Sequence, residues 1–132
     1  MTELLLRLAG VAHVISLAAI LFAARHLRWN QELARVPRLL KQMCDAYHAY
    51  TAATIIALGL VSLFLPWELS SGSPLARAVC GYTAVFWLAR LVLQFVYDAR
   101  AQLITPLLRL SYHALSLLFI AFIALYGWLA IR

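Results

Sequence analysis

The 132-residue chain is 65% hydrophobic and only 12% charged, and its mean hydropathy is +0.88. Soluble domains are about half apolar and a quarter charged, and a domain of this length leaves much of its surface exposed. The composition therefore excludes a water-soluble globular protein and predicts an integral membrane protein. The formal net charge is +6, but no groove-reading helix or aromatic-and-basic sheet motif accompanies it, so we expect no nucleic-acid partner.

Four apolar segments are long enough to cross a bilayer, which needs about 20 helical residues. They cover residues 4–24, 45–65, 74–97 and 106–131. Pro66 ends the second segment, because proline cannot continue a helix. Ser73-Pro74 and Thr105-Pro106 have the N-cap and first-turn residues that begin the third and fourth. The sequence predicts an all-α fold, an antiparallel four-transmembrane-helix bundle.

The first connecting loop, residues 25–44, is strongly basic. Its charged residues are Arg25, Arg28, Arg35, Arg38, Lys41 and Glu32. Lysine and arginine concentrate on the cytoplasmic side of membrane proteins. We therefore predict one domain over residues 1–132 in a bacterial cytoplasmic (inner) membrane, with this loop cytoplasmic and both termini periplasmic. The loop's scattered leucines fit an interfacial segment attracted by anionic lipid, although an ordinary topology-setting loop explains the pattern equally well.

Polar side chains interrupt the inner half of the third segment. Arg90 and Gln94 lie one helical turn apart, and Tyr97 returns to nearly the same face. A charge at that depth costs several kcal/mol unless it is paired, hydrated or able to reach the interface, so it indicates a functional site. Counting 1.5 Å per residue brings polar residues of the second and fourth segments to a similar depth. The predicted ligand-binding residues are Arg90, Gln94, Tyr97, His48, His113 and Tyr112.

Arg90 allows two interpretations. In the first, its side chain extends toward Asp98, Asp45 or a lipid phosphate and acts only as an internal counter-ion. In the second, it holds the anionic group of a lipid, a carboxylate or a cofactor. The chain has few acidic residues at this depth, and both interpretations stay open.

The intramembrane histidines suggest a cofactor as an alternative. His13, His48 and His113 could supply two axial ligands to haem b from different helices, or bind a quinone, while Arg90 meets an anionic group. Asp45 and His48 share a helix face, as metal ligands in bundles do. A metal site needs three or four converging ligands, and the arginines nearby oppose it, so we predict none.

No catalytic arrangement is recognisable in the sequence. The serines lack the strand–turn–helix context of a nucleophile elbow, and no glycine-rich phosphate loop is present. We predict no catalytic residues. A small lipid-modifying enzyme with a histidine base remains an alternative.

Two segments carry a resemblance to a known group. Gln42 with His48-Ala49-Tyr50, together with the stretch FWLARLVLQFVYD at residues 86–98, resembles a group of small bacterial four-helix integral membrane proteins. The resemblance covers nearly the whole chain and implies an inner-membrane bundle. It implies no activity.

The sequence thus predicts a small, non-enzymatic membrane component. Its polar pocket around Arg90 would bind an anionic amphipathic ligand, such as a lipid, an isoprenoid or a quinone, or a partner membrane protein. Association into a homo-oligomer is also compatible with it. The alternatives are a redox protein holding haem b or quinone, and the lipid-modifying enzyme.

Overall fold

A computed structural model describes residues 1–26, 31, 34–96 and 106–132 of the chain. Its helices are α1 (Thr2–His26), α2 (Arg38–Phe64), α3 (Pro66–Ser70), α4 (Pro74–Val96) and α5 (Pro106–Ile131). All except the five-residue α3 are long and apolar enough to cross a membrane. The predicted all-α, four-helix membrane bundle is confirmed. Five residues used in the predictions lie outside the described residues, namely Arg28, Glu32, Tyr97, Asp98 and Thr105.

Helix α2 begins at Arg38, earlier than the predicted start at residue 45. Pro37 stands at its N-cap, and the following leucines, Lys41, Gln42 and Met43 are all good helix formers. The last part of the basic loop is therefore the first part of α2.

The connection between α2 and α4 contains the short helix α3, which the sequence analysis did not predict. Pro66 opens α3 at its first position, where its missing N–H and fixed φ are acceptable. Gly72 then turns the chain with φ 76°. Ser73 Oγ accepts a hydrogen bond from the backbone N–H of Ala76 at 3.1 Å, so the predicted N-cap of α4 is present.

The long helices form two antiparallel pairs. In the pair α1/α2, a Cβ added to Gly10 would lie 2.8 Å from the carbonyl oxygen of Gly59 and 2.9 Å from the nitrogen of Leu63. Such backbone contact requires small residues at the crossing, as is common in membrane helices. In the pair α4/α5, Arg77 Nε donates to the carbonyl oxygen of Ala130 at 2.9 Å. This bond ties the start of α4 to the end of α5.

Among the described residues, the side-chain hydrogen bonds and ring contacts that join the two pairs lie in one half of the bundle. Between the two pairs pack α3, whose Leu69 is buried, and a layer of aromatic side chains. Every buried residue of the described long helices lies within residues 2–16, 55–64, 74–87 and 116–131, which we call the packed half. We call residues 17–26, 38–54, 88–96 and 106–115 the basic half. There, no side chain that the structure describes is more than partly buried.

Candidate functional site

The centre of the packed half is a hydrogen bond between two predicted membrane spans. Trp87 Nε1 of α4 donates to His13 Nε2 of α1 at 3.0 Å, and both residues are 0% exposed. An indole N–H can only donate, so His13 Nε2 is the acceptor and is not protonated. The ring proton is therefore on Nδ1, which donates to the carbonyl oxygen of Ala9 at 2.7 Å. The imidazole is neutral, and both of its nitrogens are used.

Helices α2 and α5 complete the same layer. The ring of His13 lies 4.4 Å from that of Phe122 and 5.9 Å from that of Tyr126, measured between centroids. The Tyr126 hydroxyl in turn hydrogen-bonds the Ser62 hydroxyl of α2 at 2.5 Å. A continuous series of side-chain contacts thus links α1, α2, α4 and α5. Buried polar groups that are fully satisfied fix one arrangement of a core, so this layer holds the two pairs in register.

The His13 layer does not fit the haem alternative. Axial ligation requires a free imidazole lone pair, and the Nε2 lone pair of His13 already accepts the Trp87 proton. His48 and His113, the other two proposed ligands, are exposed residues in the basic half. The structure therefore does not support His13 as an axial ligand, and the other two histidines belong to a different half of the bundle.

The structure also tests the pairing of Asp45 with His48. Both residues are exposed on the first turns of α2. Among the described residues, no group of three His, Cys, Asp or Glu side chains is placed to hold a metal ion. In the described part of the chain, the stripe of α2 that faces the core starts at Ile55 and continues through Leu58, Gly59 and Ser62.

A second polar cluster lies where α4 meets α5 in the basic half. Gln94 Nε2 donates to the carbonyl oxygen of Tyr112 at 3.1 Å and to the Ser116 hydroxyl at 2.5 Å. The Tyr112 hydroxyl donates back to the carbonyl oxygen of Gln94 at 3.0 Å. That carbonyl belongs to the last turn of α4, where the helix supplies no donor. The reciprocal bonds therefore fix the end of α4 against the first turns of α5.

Arg90 lies one turn from Gln94 on the same side of α4, between Gln94 and the buried Trp87. It is half-buried, and its Nε atom is shielded from solvent. This places a guanidinium at the boundary between the packed half and the basic half. Gln94 and Tyr112 thus contact each other where α4 packs on α5, and Arg90 lies one turn away on α4. That these residues line one pocket stays a prediction.

Positive charge is concentrated at the same end of the bundle. The described cations of the basic half are Arg25, Arg38, Lys41, Arg90 and Arg109. The opposite end of the bundle has Arg7, Arg77 and Arg132, together with the acids Glu3 and Glu68. The described part of the basic half has one acid, Asp45. An anion approaching this end meets a clear excess of positive charge.

Several residues of the polar layers were missed at the sequence level, namely Trp87, Ser62, Tyr126 and Ser116. Trp87 was given no role of its own, although its spacing of three from Arg90 places both near one face of the helix. A search for a donor to His13 and an acceptor for Gln94 would have pointed to Trp87 and Ser116, since buried polar groups require partners.

No protein-family model, curated protein or solved structure matches this chain. The resemblance to small bacterial bundles therefore stays a prediction.

Proposed function

We propose that this small multi-pass membrane protein binds an anionic amphipathic ligand in its basic half, with Arg90 as the main charged contact. The observation that carries the proposal is the position of Arg90 inside a predicted membrane span, half-buried and directly beside the Gln94–Tyr112 bonds. Ionisable residues at such depths are rare, and they mark sites for ions, ligands or counter-ions. The function is one of binding, with no catalytic step.

The packing of the bundle supports this choice of site. The packed half is filled by aromatic and aliphatic side chains, and three aromatic rings contact His13. In the basic half the interior-facing residues Arg90, Leu91, Gln94 and Tyr112 are only partly buried. Ligand sites combine apolar walls with a few fixed polar groups, and this half of the described bundle has both.

The charge distribution supports an orientation and a location. The excess of arginine and lysine belongs on the cytoplasmic side by the positive-inside rule. We therefore place the basic half in the inner leaflet of a bacterial cytoplasmic membrane, with both termini periplasmic. The ligand would then come from, or face, the cytoplasmic leaflet.

Native mass spectrometry of the full chain, purified in mild detergent from its own membrane, tests the proposal. The wild type should carry an anionic amphiphile, and Arg90→Leu should lose it. Arg77→Leu is the matched control, because Arg77 is an exposed arginine on the same helix at the opposite end. It should keep the ligand.

Other outcomes would contradict the proposal. Equal ligand occupancy in the wild type and Arg90→Leu would make Arg90 a structural residue. A preparation that contains only a second protein, or only copies of this chain, would replace the ligand by a macromolecular partner. A red preparation with a Soret band would restore the haem alternative, against the geometry of His13.

A further inference from the structure

We infer that the ligand of the basic half is a membrane phospholipid, whose phosphodiester lies between Arg90 of α4 and Arg109 of α5. The inference rests on the proposed function and gives its ligand a chemical class. It also adds Arg109, which the sequence analysis had treated only as an obstacle to metal binding, to the binding residues.

The hydrogen bonds between Gln94 and Tyr112 set the register of the two arginines. Gln94 and Tyr112 lie at the same level along the bundle axis, because the side chain of each donates to the backbone carbonyl oxygen of the other. Arg90 lies four residues before Gln94, toward the packed half. Arg109 lies three residues before Tyr112, and because α5 runs in the opposite direction it lies toward the end of the bundle. The arginines therefore flank the Gln94–Tyr112 level from both sides.

The two arginines also lie on helix faces that turn toward this contact. On α5, Arg109, Tyr112 and Ser116 follow at spacings of three and four, which places them on one face. Ser116 and Tyr112 contact Gln94, so this face is the one that packs on α4. On α4, Arg90 and Gln94 share a face in the same way. Both guanidinium groups therefore belong to one seam.

The spacing of the arginines suits a phosphodiester. At 1.5 Å per residue their Cα atoms are about 10 Å apart along the bundle axis, a distance that two long side chains can close around one anion. Arginine donates several N–H groups in a planar fork that matches the oxygens of a phosphate. A phosphodiester offers two non-bridging oxygens, one for each arginine.

The surface beside the seam suits acyl chains. Leu88, Val92 and Phe95 of α4 are 47%, 51% and 63% exposed, and Leu107 and Leu110 of α5 are 57% and 68% exposed. By the helical period these side chains lie on the outer sides of the two helices, away from the face of Arg90 and Gln94. The helices thus present apolar surface to the bilayer around the seam, which acyl chains can cover and a free phosphate ion cannot.

The level of the seam in the membrane is also appropriate. Arg109 is three residues from the start of α5, about 4.5 Å, and Arg90 lies about 10 Å further along the bundle axis. The phosphodiester would lie between these two levels, because the long side chain of Arg90 can extend toward the membrane surface, where lipid phosphates lie. Arg25, Arg38 and Lys41 at this end would enrich anionic lipids nearby.

Titration of the purified full chain in neutral detergent, followed by native mass spectrometry, tests this inference. The probes are phosphatidylglycerol, phosphatidylcholine and oleate, with inorganic phosphate as a competitor. We expect phosphatidylglycerol to bind best and to resist a tenfold excess of phosphate. Arg90→Leu and Arg109→Leu should each weaken its binding by about tenfold or more, since hydrogen bonds to charged groups are among the strong ones. Arg77→Leu should leave it unchanged.

Arg90→Lys and Arg109→Lys provide a second pair of variants in case the leucine variants do not fold. Lysine keeps the charge but loses the planar fork, so we expect binding that is weakened severalfold yet still measurable. Unchanged affinity in both lysine variants would show that the arginines do not form the fork contacts, and the inference would be wrong.

The outcomes separate this inference from the proposed function. If oleate binds as tightly as phosphatidylglycerol, or if Arg109→Leu has no effect while Arg90→Leu does, the phospholipid assignment is wrong and the proposed function stands. If inorganic phosphate displaces the lipid at equal concentration, the acyl chains contribute nothing, and the inference again is wrong. If no anionic amphiphile binds, or if Arg90→Leu binds it like the wild type, both are wrong.

Discussion

Trp87 and His13 form a buried donor–acceptor pair that joins the two helix pairs of the bundle, with 3.0 Å between Nε1 and Nε2. The indole fixes the tautomer of the imidazole, because only an unprotonated Nε2 can accept its proton. The second nitrogen of His13 is fixed by Ala9 in its own helix. A histidine that the sequence suggested as a cofactor ligand is therefore a structural residue.

Replacing Trp87 by phenylalanine should destabilise the bundle by about 1 kcal/mol or more. The substitution removes the N–H and part of the ring, which leaves the buried Nε2 of His13 without its donor. Thermal unfolding in detergent, followed by helical circular dichroism, measures the change. Trp128→Phe is the matched control, because Trp128 is an exposed tryptophan on α5; it should unfold like the wild type. Equal stability of the two variants would mean that the pair contributes nothing.

The histidines should differ in their effect on stability. His13→Ala removes a fully buried ring that contacts Trp87, Phe122 and Tyr126, and we expect a loss of about 2–4 kcal/mol from the cavity and the unpaired indole N–H. His113→Ala changes an exposed side chain and should stay within about 0.5 kcal/mol. The same unfolding experiment compares them. A larger loss for His113→Ala than for His13→Ala would contradict the placement of His13 in the core.

Gly10→Ala should weaken the contact between α1 and α2. The added methyl group would lie within 3.0 Å of backbone atoms of Gly59 and Leu63, and backbone cannot move aside as a flexible side chain can. We expect a loss of about 1–3 kcal/mol, typical of overpacking. Gly127→Ala is the control, because no atom lies within 4 Å of its added Cβ, and alanine favours helix over glycine. Equal unfolding temperatures for Gly10→Ala and Gly127→Ala would contradict the close packing of α1 against α2 at Gly10.

Cysteine labelling tests the orientation that we propose. In a variant without Cys44 and Cys80, single cysteines at Arg38 and Gly72 lie at opposite ends of α2 and the turn that follows it. A membrane-impermeant maleimide added to intact cells should label the cysteine at position 72 and should spare that at position 38 until the cells are opened. Labelling only at position 38 would reverse the orientation, and labelling at both would contradict the topology.

The sequence by itself determined the class of fold. Four apolar segments of spanning length leave little choice in a bilayer, because only helices satisfy every backbone hydrogen bond within one segment. The N-cap at Ser73 was likewise readable, since capping depends on residues adjacent in the chain. Helical period and depth along the chain also predicted that Gln94 and Tyr112 lie at a similar level, and these two residues are in contact.

Only the tertiary structure decided which side of each helix faces the interior. His13 and His48 have similar surroundings in the sequence, but His13 is buried against Trp87 whereas His48 is exposed. In an apolar segment every face is hydrophobic, so the hydrophobic periodicity cannot show which face packs in the core and which face contacts lipid. The rotation of each helix is set by specific contacts such as Gly10 with Gly59 and Gln94 with Tyr112. These contacts join residues far apart in the chain, and they alone distinguish the packed half, which holds the bundle together, from the basic half, whose described side chains are at most partly buried.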